Sequence, residues 1–181
     1  ATSGKLLRNS LGTLVFRAKD SKLTSRLVKV MGQIKNLDSV SERGKRNVAV
    51  GLTDASAKLL LKGFDFNARA TLGSVLNTSY SVDTGTGEVT LSSFNPMEQL
   101  RAAEGATHFS LQVGYLNLNF ETGESDLTLS SESVFPLVQG VISPVLTPSG
   151  VPAGSGVGMH VMLLEFFQEV NGVQYMLNNG A

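Results

Sequence analysis

Residues 157–178 do most to limit what this chain can fold into. They read VGMHVMLLEFFQEV, then Asn171-Gly172, then VQYMLN. Asn-Gly between two apolar runs is the strongest short-range hairpin signal, because a type I′ turn needs positive φ at both central residues. A two-residue turn fixes the register. Val170 faces Val173, Gln168 faces Tyr175 and Phe166 faces Leu177, while Glu169 pairs with Gln174 and Phe167 with Met176 on the other face. From Val157 to Leu164 almost every residue is apolar, which suits a strand covered on both faces. This pattern predicts a central hairpin, around which the rest of the chain must supply cover.

More strands precede it. Residues 107–120 alternate, with Thr107, Phe109, Leu111, Val113 and Tyr115 on one side; the apolar phase then flips to Leu116, Leu118 and Phe120. A bulge near Gly114 would keep both sets inward. Residues 121–124 (ETGE) read as a turn, 126–130 as the returning strand, and 137–146 as a further strand with Pro144 near its end. Residues 77–82 and 88–92 flank DTGTG, a hairpin loop. Residues 96–103 form a short helix, and PSGVPAGSG over 148–156 is a loop. Residues 64–76 fit no single pattern.

The first part of the chain reads differently. LGTLVFRA (11–18) and LTSRLVKV (23–30) are rich in β-formers around Lys19-Asp20-Ser21-Lys22, which predicts a hairpin with Leu14, Phe16 and Ala18 on one face. Ser39-x-x-Glu42 is a capping-box sequence and predicts one long helix over 39–63. Val48, Leu52, Ala55 and Leu59 make its stripe, Glu42/Arg46 and Asp54/Lys58 its i,i+4 pairs, and Gly63 its C′ residue. Gly51 lies near the stripe and suggests close packing against a strand. The fold expected is mainly β or α+β: an antiparallel sandwich with the 39–63 helix packed on it, in one domain over 1–181. Of the residues, 41% are hydrophobic, enough for one sizeable core or at most two small ones.

Net charge is zero, but its distribution is uneven. Residues 1–72 hold 14 Lys and Arg against 5 Asp and Glu, or +9; residues 73–181 hold 1 against 10, or −9. Arg17, Arg26 and Lys29 on the expected hairpin, with Arg43, Lys45 and Arg46 on the expected helix, form a candidate interaction patch. Opposed patches on one molecule favour head-to-tail contact. The leading expectation is therefore a non-enzymatic structural or assembly protein whose partner is itself. The alternative is a module that uses the basic part to bind a polyanion, either nucleic acid or surface polysaccharide. With no Trp and few aromatics among these cations, such binding would be nonspecific and salt-sensitive.

Motifs for chemistry are sparse. With Cys at 0 there is no disulfide, thiol nucleophile or thiolate metal site, which fits a cytoplasmic setting. His108 and His160 both fall in strand patterns, without the converging ligands a metal needs. There is no G-x-S-x-G elbow and no Walker A sequence, and GSGVG at 154–158 lacks dinucleotide-loop spacing. Three acids within 121–126 miss the calcium-loop spacing. Glu165 and Glu169 share a strand face about 13 Å apart at ~3.3 Å per residue, too wide for a catalytic pair. No catalytic residue, cofactor or metal ligand is assigned. No apolar run approaches the roughly 20 residues of a membrane span, and no signal-peptide core opens the chain.

LGTLVFRAKD, SERGKRNVAV leading to LLLKGF, GATHFSLQVG and EFFQEVNGVQYMLNNGA together resemble a family of short Bacteroidota proteins with no assigned activity. The resemblance covers phrases spread over most of the chain and transfers no functional residue. It implies a further apolar stretch after Ala181.

Overall fold

In the computed structural model of the chain, residues 2–177 are described, and the fold is α+β with antiparallel sheets. The chain divides into two compact units, each assembled from separated segments. The first comprises the chain up to Ala68 with Asn117–Asp126 and Ala153–Val157. The second comprises Arg69–Leu116, Leu127–Pro152 and the chain from Gly158 on.

The first unit is helical where the sequence suggested a hairpin. Helices α1 (Thr2–Leu11), α2 (Thr13–Ala18) and α3 (Leu23–Asn36) replace it. In α3 the buried residues are Leu23, Leu27, Met31 and Ile34, a spacing of four, four and three that only a helix brings to one face. Val28, which alternation would count as apolar surface of a strand, is 40% exposed. Phe16 is 74% exposed instead of sharing a face with buried Leu14. A Cβ on Gly4 would lie 3.4 Å from Leu27, so α1 rests closely on α3.

The single 39–63 helix is also corrected. Residues 39–47 form a loop, followed by α4 (Val48–Gly51) and α5 (Ala55–Leu61). Asn47 caps α4 through its side chain to the Val50 N–H, and Asp54 caps α5 through the Ser56 N–H. Ser39 is not a cap. Val48 and Leu52 are buried as the stripe requires, but Leu59 is 67% exposed because the break at Asp54 turns α5 away from that stripe. Gly63, at φ 76°, ends α5 as expected of a C′ glycine. Gly51 does mark a close approach, but to a helix: a Cβ there would fall 2.1 Å from the Ile34 carbonyl oxygen.

The strands make two antiparallel sheets. The smaller has the order β1 (Ser81–Val82), β2 (Val89–Thr90), β6 (Val145–Leu146). The larger runs β4 (Ser125–Leu129), β3 (His108–Leu118), β7 (Val157–Val170), β8 (Val173–Leu177), with β5 (Ser133–Pro136) also paired to β3. Short helices α6 (Leu72–Val75) and α7 (Pro96–Gln99) precede these longer strands. The Asn171-Gly172 turn has φ of 51° and 77°, and all five expected cross-strand pairs are present. Of the two hairpin strands only β7 is interior, beside β3; β8 is an outer strand, with Val173, Tyr175 and Met176 about half exposed. The strand expected over 137–146 is reduced to Val145–Leu146 and an isolated bridge of Ile142 to Phe94; between them Pro144 has no N–H to give a ladder, although its carbonyl accepts from Leu91. The core of the second unit joins both sheets: Val89 and Leu146 from one, with Leu91 just after β2, cluster with Phe109, Leu111, Val113 and Phe166 from the other. Among the described residues, no helix is long and apolar enough to cross a membrane.

Candidate anion-binding recess

A buried carboxylate organises the loop that carries most of the expected basic patch. Asp38 follows α3 and is only 1% exposed. Its Oδ1 accepts the N–H groups of Val40 (3.0 Å) and Ser41 (2.9 Å), and its Oδ2 accepts that of Asn47 (3.1 Å). One side chain thus ties both ends of the loop and holds the residues after Ser39 in a non-helical turn. The Ser41 hydrogen bond does most to hold the Asp38 carboxyl down at about 2, with Asn47 and Val40 adding to it against the cost of burial.

The folded pKa lies below the ordinary value of about 3.9, so the stabilisation is complete above about pH 4 and disappears as pH falls through about 2. Asp38→Asn keeps one acceptor but turns an amide N–H₂ toward the loop's donors. We expect its urea midpoint to fall clearly below wild type at neutral pH, and the two to converge as the pH is lowered to about 2. A gap that is constant over this range would remove Asp38 from this role.

Lys35 and Asn36 at the end of α3, with Arg43, Gly44 and Arg46 of the loop, line a recess of about 200 Å³. All five are exposed apart from being gathered around this hollow. Lys35, Arg43 and Arg46 have no carboxylate partner among the described residues, whereas exposed Lys45 pairs with Glu42 at 3.3 Å. Gly44 has φ 93°, which lets the loop double back between the two arginines.

The six expected patch residues are therefore not one patch. Arg43, Lys45 and Arg46 share the loop, and the fold adds Lys35, which sequence reasoning passed over. Lys29 is exposed on α3 and Arg17 is half-buried on α2; neither lines the recess. Arg26 is committed elsewhere. Its guanidinium donates to the Asp20 carboxylate at 2.9 Å and to the carbonyls of Asp65 (2.6 Å) and Phe66 (3.3 Å), and lies 5.4 Å from the Phe64 ring centre. Asp20 in turn accepts the N–H groups of Lys22 and Ala68, both at 2.8 Å. The Ala68 bond leads in pulling its pKa below the ordinary value. Arg26 and Asp20 are a clamp on residues 64–68.

The larger hollow of the first unit, about 530 Å³, is acidic and polar. Asn117, Asn119, Glu124, Ser125, Asp126 and residues 153–155 line it. Several of these side chains already hold loops: Asn117 bonds Gly154 and Gly156, Asn119 bonds Glu121 and Thr122, and Asp126 bonds Ala153. Among the described residues, no group of three or more His, Cys, Asp or Glu is placed to hold a metal ion. His160 lies in β7 against Tyr115, ring centres 4.3 Å apart. Burial lowers its pKa, opposed by the Thr84 backbone and the Asp83 charge. His108 lies in β3 and shares a 2.9 Å hydrogen bond with the Thr107 hydroxyl. No family model, curated protein or solved structure matches the chain.

Proposed function

We propose that this chain is a non-enzymatic structural protein that self-associates head to tail, the first unit of one copy meeting the second unit of the next. The observation that carries this reading is the charge of the folded units. The first holds 13 Lys and Arg against 8 Asp and Glu, or +5; the second holds 2 against 7, or −5. The split is smaller than along the chain because the acidic 121–126 segment folds into the first unit. Exposed ion pairs contribute roughly 0–1 kcal/mol each, so charge steers and orients while apolar contact holds. Exposed Val141, Val145 and Val151 offer such contact on the second unit.

Analytical ultracentrifugation at low and high salt tests this. Wild type is expected to associate at low salt and dissociate as salt screens the charges. Arg43→Glu with Arg46→Glu should weaken association, and Glu98→Lys with Glu104→Lys on that background should partly restore it. If all forms sediment as the same monomer at low salt, this reading fails.

A second reading, binding of a polyanion, is favoured by one specific observation: the three cations of the recess pair with no carboxylate among the described residues.

A further inference from the structure

We infer that the recess formed by Lys35, Arg43 and Arg46 is a binding site for a phosphate dianion, free or as the terminal group of a monoester. This rests on the second reading and narrows it from a polymer to a single group.

The recess fits that group in charge, size and rigidity. Two arginines and one lysine are among the residues that line it, and Arg presents paired donors that match phosphate oxygens. The last turn of α3 opposes an anion with about half a negative charge. Three positive charges with no carboxylate partner among the described residues exceed that. Glu42 lies in the same loop but is paired with Lys45, and the Asp38 carboxylate is turned onto the loop's own N–H groups. At about 200 Å³ the hollow is smaller than the roughly 300 Å³ at which pockets for whole small molecules begin. It therefore takes a phosphate and little beyond it. No aromatic side chain lines it, so a nucleobase would find no stacking partner. The loop is set before binding, because Asp38 fixes its two ends and Asn47 starts α4. Little ordering cost then falls on the ligand.

The choice of a dianion has a testable signature. As pH falls, a phosphate monoester loses its second negative charge near pH 6, and inorganic phosphate does so at somewhat higher pH. No histidine lines the recess, so a change of affinity between about pH 7.5 and about pH 5.5 reports on the ligand. Sulfate, a dianion throughout, is the control.

The experiment is titration of the whole chain with inorganic phosphate, phenyl phosphate, sulfate and duplex DNA, followed by amide chemical shifts and calorimetry. Expected are saturable shifts at residues 35–36 and 43–46, and phosphate affinity that weakens toward pH 5.5 while sulfate affinity holds. Arg43→Gln with Arg46→Gln should lose at least about tenfold in affinity, since it removes two charges and their paired donors. Its unchanged urea midpoint would show that the fold is intact. Binding of both inorganic and phenyl phosphate assigns a monoester; binding of inorganic phosphate alone assigns the free ion. Undiminished phosphate binding in the double variant overturns the inference. Binding of DNA without saturable phosphate binding overturns it as well but leaves the second reading standing. Binding of neither removes both.

Discussion

Phe109→Ala is expected to cost about 3–5 kcal/mol of folding stability, the range for removing a fully buried phenyl ring. Phe109 is 0% exposed. It meets Phe94 edge-on at 5.9 Å between ring centres and stacks on Phe135 at 5.3 Å. It also lies in the cluster that joins the two sheets, so truncation removes ring contacts on several sides at once. The neighbours cannot collapse into the gap without moving strands, which keeps the cavity cost high. Urea denaturation of the variant, beside Phe16→Ala, measures it. Phe16 is 74% exposed, and its loss should stay within about 0.5 kcal/mol. Equal losses at the two positions would show that the core is wrongly placed.

Gly51→Ala should be nearly as damaging, although it adds one methyl group. The new Cβ would lie 2.1 Å from the Ile34 carbonyl oxygen and 2.9 Å from its carbonyl carbon. Both atoms are main chain, so no rotamer change relieves the clash and α4 must move off α3. Overpacking typically costs about 1–3 kcal/mol, and a backbone collision belongs at or above the upper end. Gly32→Ala is the matched control: it lies within α3, with nothing within 4 Å of the added carbon. Helix propensity should make that change neutral or stabilising by up to about 1 kcal/mol. Circular dichroism during urea unfolding should separate the two variants clearly. Similar midpoints would mean that the α3–α4 contact is looser than described.

The part of the fold legible in the sequence is the part governed by local rules. Asn171-Gly172 fixes its own turn, and the turn fixes the register of β8 on β7. Phe109, Leu111 and Val113 alternate over enough residues to mark β3, and Gly63 stops α5. Where two local signals compete, the sequence is a poor guide. LTSRLVKV has β-formers at a spacing that fits a short strand, and only the continuation to Met31 and Ile34 shows the helical period. At Ser39 the capping pattern is present, but Asp38 one residue earlier binds the Val40 and Ser41 N–H groups with a charged acceptor and holds the segment as a loop.

The candidate recess was legible in the same partial way. Arg43, Lys45 and Arg46 stand together in sequence and stay together. Lys35 joins them only because α3 ends beside the loop. Arg26 leaves the set because its partners, the Asp65 and Phe66 carbonyls, lie 39 and 40 residues away. No spacing rule reaches that far.

The first unit takes its second and third segments from stretches of chain that lie within the second unit's sequence. Asn117 holds Gly154 and Gly156 in place from the other of those segments. A genetic crossover near residue 68 would therefore inherit the helices without the two segments that complete them. These units cannot be shuffled by recombination as interchangeable cassettes.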